Sequence, residues 1–462
     1  MTLGARRVVV AGLGVSGAAA AEALLEEGAE GAEVVVTDTA DSPALRKSAA
    51  LLEARGVEVR LGEDHLDVLE GAELVVTSPG IPPRAPLLAA ALGRGIPIWS
   101  EVELAWRLAE VPVMAVTGTN GKTTTASLLA DILCEGGTPA VAAGNIGLPL
   151  VTAVRSAAPG SVVVCELSSF QLAFIESFRP AAAILLNVAD DHYDWHRGPA
   201  DYLEAKGRIT MNQGPEELFV FPAGDPAALT VASGSRARLA AFGLEEPAEV
   251  LGAAEARLGR AVVAGAGLLL EVLAVASGHG LRVLLPRAKI RLQGLHNLEN
   301  VLAACLLALE WEVEVEAIAR AVGAFEGLAH RTRLVGEIGG VTYIDDSKAT
   351  NPHATLRALA GYGRVVLIAG GRAKGPDLSV LRAALDRLVA VVVMGEAAGE
   401  LESVFSEVPT KRAGEVEEAV ELAASLASPG DTVLLSPACS SLDQYSSYAE
   451  RGDRFVRAVL AR

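Results

Sequence analysis

Residues Val111 to Cys134 leave the chain little freedom. An apolar run, Val111-Pro112-Val113-Met114-Ala115-Val116, leads into Thr117-Gly118-Thr119-Asn120-Gly121-Lys122-Thr123-Thr124, and a helical pattern follows. A buried strand, a Gly-rich turn and a helix in that order make a phosphate loop, because backbone N–H groups and the helix N-terminus converge on one anion. Gly118 and Gly121 let the backbone approach phosphate oxygens, Lys122 brings an ammonium to the β/γ oxygens, and Thr123 sits where such loops ligate Mg²⁺. Only the second half of the G-x-x-x-x-G-K-[ST] pattern is present, since its first glycine would fall at Val116. The alternative is a Gly-containing turn with a solvated lysine.

The 462 residues allow two to four domains at about 100 to 200 residues each. Lys plus Arg number 39 against 57 Asp plus Glu, a net charge of −18, so the global field repels nucleic acid and anionic membranes. Any anion must be held locally. Cys134, Cys165, Cys305 and Cys439 are far apart and form no C-x-x-C pair, as expected of reduced thiols in a cytoplasmic protein; all four read as core or near-site residues. Arg6-Arg7 before the apolar Val8 to Leu25 resembles a short secretory signal, but glycines, Ser16 and Glu22 interrupt it. No apolar run is long enough to span a bilayer, and a soluble protein is expected.

That N-terminal stretch has a better reading. Val8 to Ala11 is a strand, Gly12-Leu13-Gly14-Val15-Ser16-Gly17 a G-x-G-x-x-G turn, and Ala18 to Glu27 a helix. A second strand, Val34 to Asp38, ends on an acid about 20 residues on, where such folds bind a ribose hydroxyl. A nicotinamide or flavin cofactor satisfies the fingerprint, and so does a nucleotide-linked substrate. Strands at Leu74 to Thr77 and Ile96 to Trp99 complete a small parallel sheet ending near Ser100, with Ser78-Pro79-Gly80-Ile81 at its ligand-binding end.

A second α/β pattern runs from Glu101 through Gly144-Asn145-Ile146-Gly147 to strands at Ser161 to Cys165 and Ala183 to Asn187. Glu166 and His192 then fall on the same sheet edge as the phosphate loop. Leu218 to Leu292 yields short strands and nothing more. A helix follows Gly294 to Asn300, and a third doubly wound pattern has strands at Val341 to Ile344, Val365 to Ala369, Ala390 to Val393 and Thr432 to Leu435.

Beyond the phosphate loop, four stretches follow in order: Glu166-Leu167-Ser168-Ser169-Phe170-Gln171, Asn187-Val188-Ala189-Asp190-Asp191-His192, Gly294-Leu295-His296-Asn297-Leu298-Glu299-Asn300 and Asp346-Ser347-Lys348-Ala349-Thr350-Asn351. Together with Ser436 to Tyr445 they strongly resemble the Mur ligase family, over nearly the whole chain. The resemblance implies three domains: an N-terminal Rossmann-like parallel sheet for a UDP substrate (1–100), a central P-loop α/β domain for ATP and metals (101–327) and a C-terminal Rossmann-like α/β domain for the amino acid (328–462). It implies ATP-driven amide formation through an acyl phosphate, in cytoplasmic peptidoglycan precursor synthesis, by a monomer that closes on its substrates.

The resemblance also implies the site residues. ATP would meet Gly118, Thr119, Asn120, Gly121, Lys122, Thr123 and Thr124, with Asn297 and Asn300 near the adenine and Arg331 and Asp346 from the third domain. Thr123 and Glu166 would ligate one Mg²⁺ and His192 a second; Tyr202 to Ile209 resembles the segment whose lysine is carbamylated, making Lys206 an anionic metal-bridging group. For Lys206 the alternative is an exposed helix lysine, and for His192 a buried structural histidine. Leu13, Gly14, Val15, Ser16, Asp38, Thr39, Ser78, Pro79, Gly80, Asn145, Ser168 and His192 would contact the UDP substrate, although Ala40 stands where some relatives carry a basic residue. Lys348, Thr350, Lys374, Ser441, Leu442 and Tyr448 match positions that line a D-glutamate pocket, and the Asp346 to Asn351 stretch most marks enzymes that add D-glutamate to UDP-N-acetylmuramoyl-L-alanine. Lys122, Glu166, His192, Lys206, Arg331 and Lys348 are the expected catalytic set. Competing readings are a sibling ligase for another amino acid, a nicotinamide-dependent dehydrogenase built on Gly12 to Asp38, and a non-catalytic nucleotide-binding regulator.

Overall fold

The computed structural model describes residues 4–27, 32–193, 195–292, 294–373, 375 and 377–462. The chain forms two compact units: one comprises the chain up to Val188 with Ala200–Arg287 and Asn300–Val322, the other Ala189–Pro199, Ala288–Glu299 and Gly323–Arg462. The segments around His192 and Asn297 therefore group with the C-terminal sheet rather than with the phosphate-loop sheet.

The first unit holds two sheets. One is a parallel sheet of β1 (Arg7–Ala11), β2 (Glu33–Asp38), β3 (Glu58–Leu61), β4 (Leu74–Thr77) and β5 (Ile98–Ser100), in the order β3-β2-β1-β4-β5. Its central strands are runs of valine buried on both faces, as a sheet flanked by helices requires. The apparent signal segment is β1 plus the helix Val15–Glu27, which begins three residues ahead of the expected Ala18. Gly17 is needed there for packing, since a Cβ would lie 1.8 Å from the Gly12 carbonyl oxygen.

The larger sheet contains β6 (Val113–Thr117), β7 (Ala140–Gly144), β8 (Val162–Glu166), β9 (Ala182–Leu185), β10 (Leu218–Pro222), β11 (Arg238–Phe242), β12 (Ala264–Leu269), β13 (Val272–Ser277) and β14 (Gly280–Pro286). Its order is β14-β13-β12-β11-β10-β9-β6-β8-β7, parallel except for the β12-β13-β14 meander. The region that read as short strands alone also contains helices Pro226–Gly234 and Pro247–Leu258, which corrects that expectation. Alanine and glycine hid their periodicity. Two of those glycines permit close packing: a Cβ on Gly267 would lie 2.1 Å from the Glu245 carbonyl oxygen, and one on Gly265 2.7 Å from that of Pro247. One apolar core runs from Val8 to Val262 through both sheets of this unit, with helix Glu101–Leu108 packed between Val15–Glu27 and Leu150–Ser156.

The second unit is built on β15 (Arg333–Ile338), β16 (Val341–Asp345), β17 (Val365–Gly370), β18 (Leu388–Met394), β19 (Thr410–Arg412) and β20 (Thr432–Leu435), ordered β15-β16-β20-β17-β18-β19. Among its described strand pairs, β15-β16 is antiparallel and the others are parallel. Separate apolar clusters cover its two faces. Cys165, Cys305 and Cys439 are buried as expected, whereas Cys134 is exposed, a correction to its reading as a core or near-site residue.

Candidate active site

β6 ends in the phosphate loop, and helix Lys122–Glu135 starts at the loop's far side with Gly121 as its N-cap. Gly121 adopts φ +87°, and a Cβ there would lie 2.2 Å from Asn300 Oδ1, so only glycine fits. Val116, which breaks the longer glycine pattern, is a fully buried strand residue. The loop is fastened to the neighbouring strand exit. Asn187 accepts the Asn120 N–H on Oδ1 (2.9 Å), donates from Nδ2 to the Asn120 carbonyl (3.0 Å) and accepts the Thr119 N–H on its own carbonyl (3.0 Å). Asn187 thus sets the loop's shape, a role its position in the sequence did not disclose.

Two lysines meet at the loop. Lys122 Nζ donates to the carbonyls of Gly118 (3.0 Å) and Thr119 (2.9 Å), and Lys206 Nζ donates to the same Gly118 carbonyl (2.8 Å). Lys206 is not an exposed helix lysine: it is 1% exposed, and its ammonium lies 4.6 Å from the centroid of the Tyr202 ring. The Tyr202 hydroxyl in turn hydrogen-bonds Thr119 Oγ1 (3.1 Å). A buried ammonium beside a phosphate loop attracts anions.

Glu166 closes β8 and pairs in register with Val116. Its Oε1 accepts from Asn145 Nδ2 (3.0 Å), while its Oε2 is buried with no hydrogen-bond partner. An orphaned carboxylate oxygen at the strand edge that carries the phosphate loop is what a cation would complete. Ser168 caps helix Ser169–Ala173, its Oγ accepting the Gln171 N–H (3.2 Å). Among the described residues there is no group of three or more His, Cys, Asp or Glu that could hold a metal, so Mg²⁺ here would rely on hydroxyl, phosphate and water oxygens as well.

At the N-terminal sheet, a cavity of about 750 Å³ is lined by Gly12, Gly14, Val15, Ser16, Asp38, Thr39, Ser78, Pro79 and Gly80 among others. Gly14, Val15, Ser16, Asp38, Thr39, Ser78, Pro79 and Gly80 are among the residues expected to contact UDP; of the others, Leu13 is buried, and Asn145, Ser168 and His192 do not line this cavity. The Asp38 carboxylate accepts the N–H of Leu13 (2.8 Å) and of Ala40 (2.9 Å), tying the fingerprint turn to the β2 exit. Asp64 and His65 also line this cavity and were not singled out in the sequence. They follow a short, half-buried strand with no motif around it.

In the second unit a cavity of about 740 Å³ is lined by Asn297, Arg331, Thr332, Tyr362 and neighbours. His330 (φ 62°) and Thr332 (φ 50°) both take left-handed conformations around Arg331. The turn is anchored by His330 Nδ1 to Asp345 Oδ2 (2.6 Å) and by Thr332 N–H to Asp346 Oδ1 (3.0 Å). The Asp345 carboxylate holds His330 above its ordinary pKa, and burial pushes Asp346 up to about 7. Tyr362, whose hydroxyl is buried without a partner and whose pKa burial raises to about 12, is a lining residue no motif disclosed.

Lys348 and Tyr448 are brought together, the ammonium 3.9 Å from the ring centroid. Ser441 is buried, Thr350 half-buried and Leu442 exposed; Lys374 lies outside the described residues. His192 also sits in a left-handed conformation (φ 57°), with Nε2 3.7 Å from Asp191 Oδ2, and that oxygen accepts from Asn351 Nδ2 (3.0 Å).

The Mur ligase middle domain family matches residues 116–308, the Mur ligase glutamate ligase domain 330–439 and the MurD-like N-terminal domain 6–100. The chain belongs to the Mur ligase family, and as such is an ATP-dependent amide-forming ligase. It is 45% identical to the UDP-N-acetylmuramoylalanine--D-glutamate ligase of Frankia casuarinae, covering 98% of this chain and 94% of the relative. It is 40% identical to the protein of the same name from Pelobacter propionicus, covering all of both chains. In fold it is similar to the UDP-N-acetylmuramate-alanine ligase MurC of Thermotoga maritima (18% identity, 99% of each chain, TM-score 0.57) and to a pseudomurein peptide ligase type C from Methanothermus fervidus (17% identity, 98% and 100%, TM-score 0.59).

Proposed function

We propose that this ligase adds D-glutamate to UDP-N-acetylmuramoyl-L-alanine. The observation that carries the reading is end-to-end similarity to relatives named for that reaction, at 45% and 40% identity. The site is consistent with its chemistry. A carboxylate is a poor electrophile in water, so the substrate carboxylate attacks the γ-phosphorus of ATP, an O–P bond forms, the bond to the β-phosphate oxygen breaks, and ADP leaves. The D-glutamate amine then attacks the acyl carbon; a C–N bond forms, the C–O bond to phosphate breaks, and the amine loses a proton.

The loop from Gly118 to Thr124 would cradle the phosphates, with Lys122 exchanging its two carbonyl partners for phosphate oxygens. Thr123, Glu166, His192 and a carbamate on Lys206 would hold Mg²⁺ at two sites, which supplies neutralisation of the charge shared by phosphate and attacking carboxylate. Arg331, displayed by its left-handed flanks, would clamp the γ-phosphate, and Asn297, Asn300 and Asp346 would receive the nucleoside. Lys348 with Tyr448, together with Thr350, Lys374, Ser441 and Leu442, would receive the two carboxylates of D-glutamate. The N-terminal cavity would hold UDP, with Asn145 and Ser168 toward the peptide end. Residues 1–100, 101–327 and 328–462 remain the proposed functional domains, in a cytoplasmic monomer.

The test is phosphate release with Mg²⁺ and ATP, comparing the full substrate pair with omission of each and with L-glutamate, L-lysine or L-alanine in place of D-glutamate. Release requiring both named substrates is expected. Release with another amino acid overturns the D-glutamate assignment.

A further inference from the structure

The cavity assigned to UDP is short of cations. Among the described residues that line it none is lysine or arginine, and its ionisable side chains are Asp38, Asp64 and His65. Asp38 is occupied by two backbone N–H groups. His65 is in a different state: its Nε2 is buried without a hydrogen-bond partner, and its Nδ1 lies 4.0 Å from Glu63 Oε1. A buried ring nitrogen with no partner, on a residue that lines a ligand cavity, is suited to meet a polar ligand atom.

The sheet places that residue. A diphosphate would lie against the Gly12 to Gly17 turn and the N-terminus of helix Val15–Glu27, which follow β1. His65 follows β3, and β3 is separated from β1 by β2, two strand spacings or about 10 Å away. The β3 exit is joined to the β2 exit by the Gly62 N–H on the Asp38 carbonyl (3.0 Å). A nucleoside attached to the diphosphate spans that distance; the phosphates do not.

Resting on the proposed function, we propose that His65 hydrogen-bonds the pyrimidine base of the UDP group and so reads the nucleotide end of the substrate. The chain then recognises the uridine by an imidazole at the β3 exit and leaves the phosphates to backbone N–H groups.

His65→Ala should raise KM for UDP-N-acetylmuramoyl-L-alanine about five- to tenfold, the value of one hydrogen bond, while kcat and KM for ATP and D-glutamate stay unchanged. His65→Asn, which keeps a side-chain donor, should lose less. Binding of UDP and of uridine is then titrated directly. Equal weakening of both by His65→Ala is the expected result. Weakening of UDP with uridine unaffected would place the contact on phosphate and overturn the proposal, and so would unchanged binding of both. Absence of turnover in the wild type would overturn the proposed reaction instead, and the uridine titration would still decide the role of His65.

Discussion

Lys206 and Glu101 are both charged residue types that the fold has taken out of water, with different consequences. Lys206 keeps its ammonium on the Gly118 carbonyl and over Tyr202, beside the loop proposed to receive phosphate. Lys206→Ala should reduce kcat by about 10²-fold or more, since the reacting groups lose a fixed charge at the point of transfer; near-wild-type turnover in a phosphate-release assay would exclude the carbamate role. The sequence could only offer a lysine in a familiar segment, because burial depends on Tyr202 and the loop arriving together. Glu101 is fully buried, and burial lifts its carboxyl from 4.5 to about 7 against the opposing N–H groups of Val151 and Leu150. Between those values the folded state keeps a proton that the unfolded chain has lost. The stability this contributes is complete below about pH 4.5 and is gone as pH rises to about 7. Denaturant melts at pH 5 and pH 8 should show Glu101→Gln gaining on the wild type by on the order of 2 kcal/mol as pH rises.

Turns and helix starts do more of the positioning than the strands they join. At Gly121 a positive φ and the proximity of Asn300 exclude any side chain. Gly121→Ala should therefore raise KM for ATP more than about tenfold and lower stability by about 1 to 3 kcal/mol, read from kinetics and denaturant melts. That requirement was legible, because a glycine set between a strand and a helix and followed by lysine marks a backbone that must curl around an anion. Helix Tyr448–Leu460 supplies a device that was not legible. Its Arg451 is buried, and burial lowers its pKa to about 10. The guanidinium donates to Ser347 Oγ (3.0 Å) and the carbonyls of Ser347 (2.9 Å), Gly370 (3.2 Å) and Cys439 (3.3 Å), gathering the loops after β16, β17 and β20. Arg451→Met should cost about 3 kcal/mol or more by leaving these buried acceptors unpaired, a loss that chemical denaturation of the full chain would measure. An arginine in an amphipathic helix looks solvent-facing until the three loops are folded around it.

Over the whole molecule the net charge of −18 opposes every substrate proposed for it. The association rate of ATP, followed by stopped flow, should rise between about 20 and about 200 mM salt as the long-range repulsion is screened. A fall would mean that local cations dominate the approach. Charge, the order of α/β units and the glycine motifs were determined by the sequence alone, because each depends on residues adjacent in the chain: alternation of strand and helix, a phosphate loop at Gly118 to Thr124, a fingerprint at Gly12 to Gly17. The division of the chain into units was decided by tertiary structure, which groups Ala189–Pro199 and Ala288–Glu299 with the C-terminal sheet although both interrupt the first unit in sequence. The helices between β10 and β12 belong to the same class, since their alanines and glycines acquire a buried face only when the central sheet is laid beneath them. So do the unpartnered ring nitrogen of His65, the buried Lys206 and the clasp at Arg451. Local motifs declare what a backbone segment can bind, whereas burial and partnership of a charged side chain are set by residues tens to hundreds of positions away.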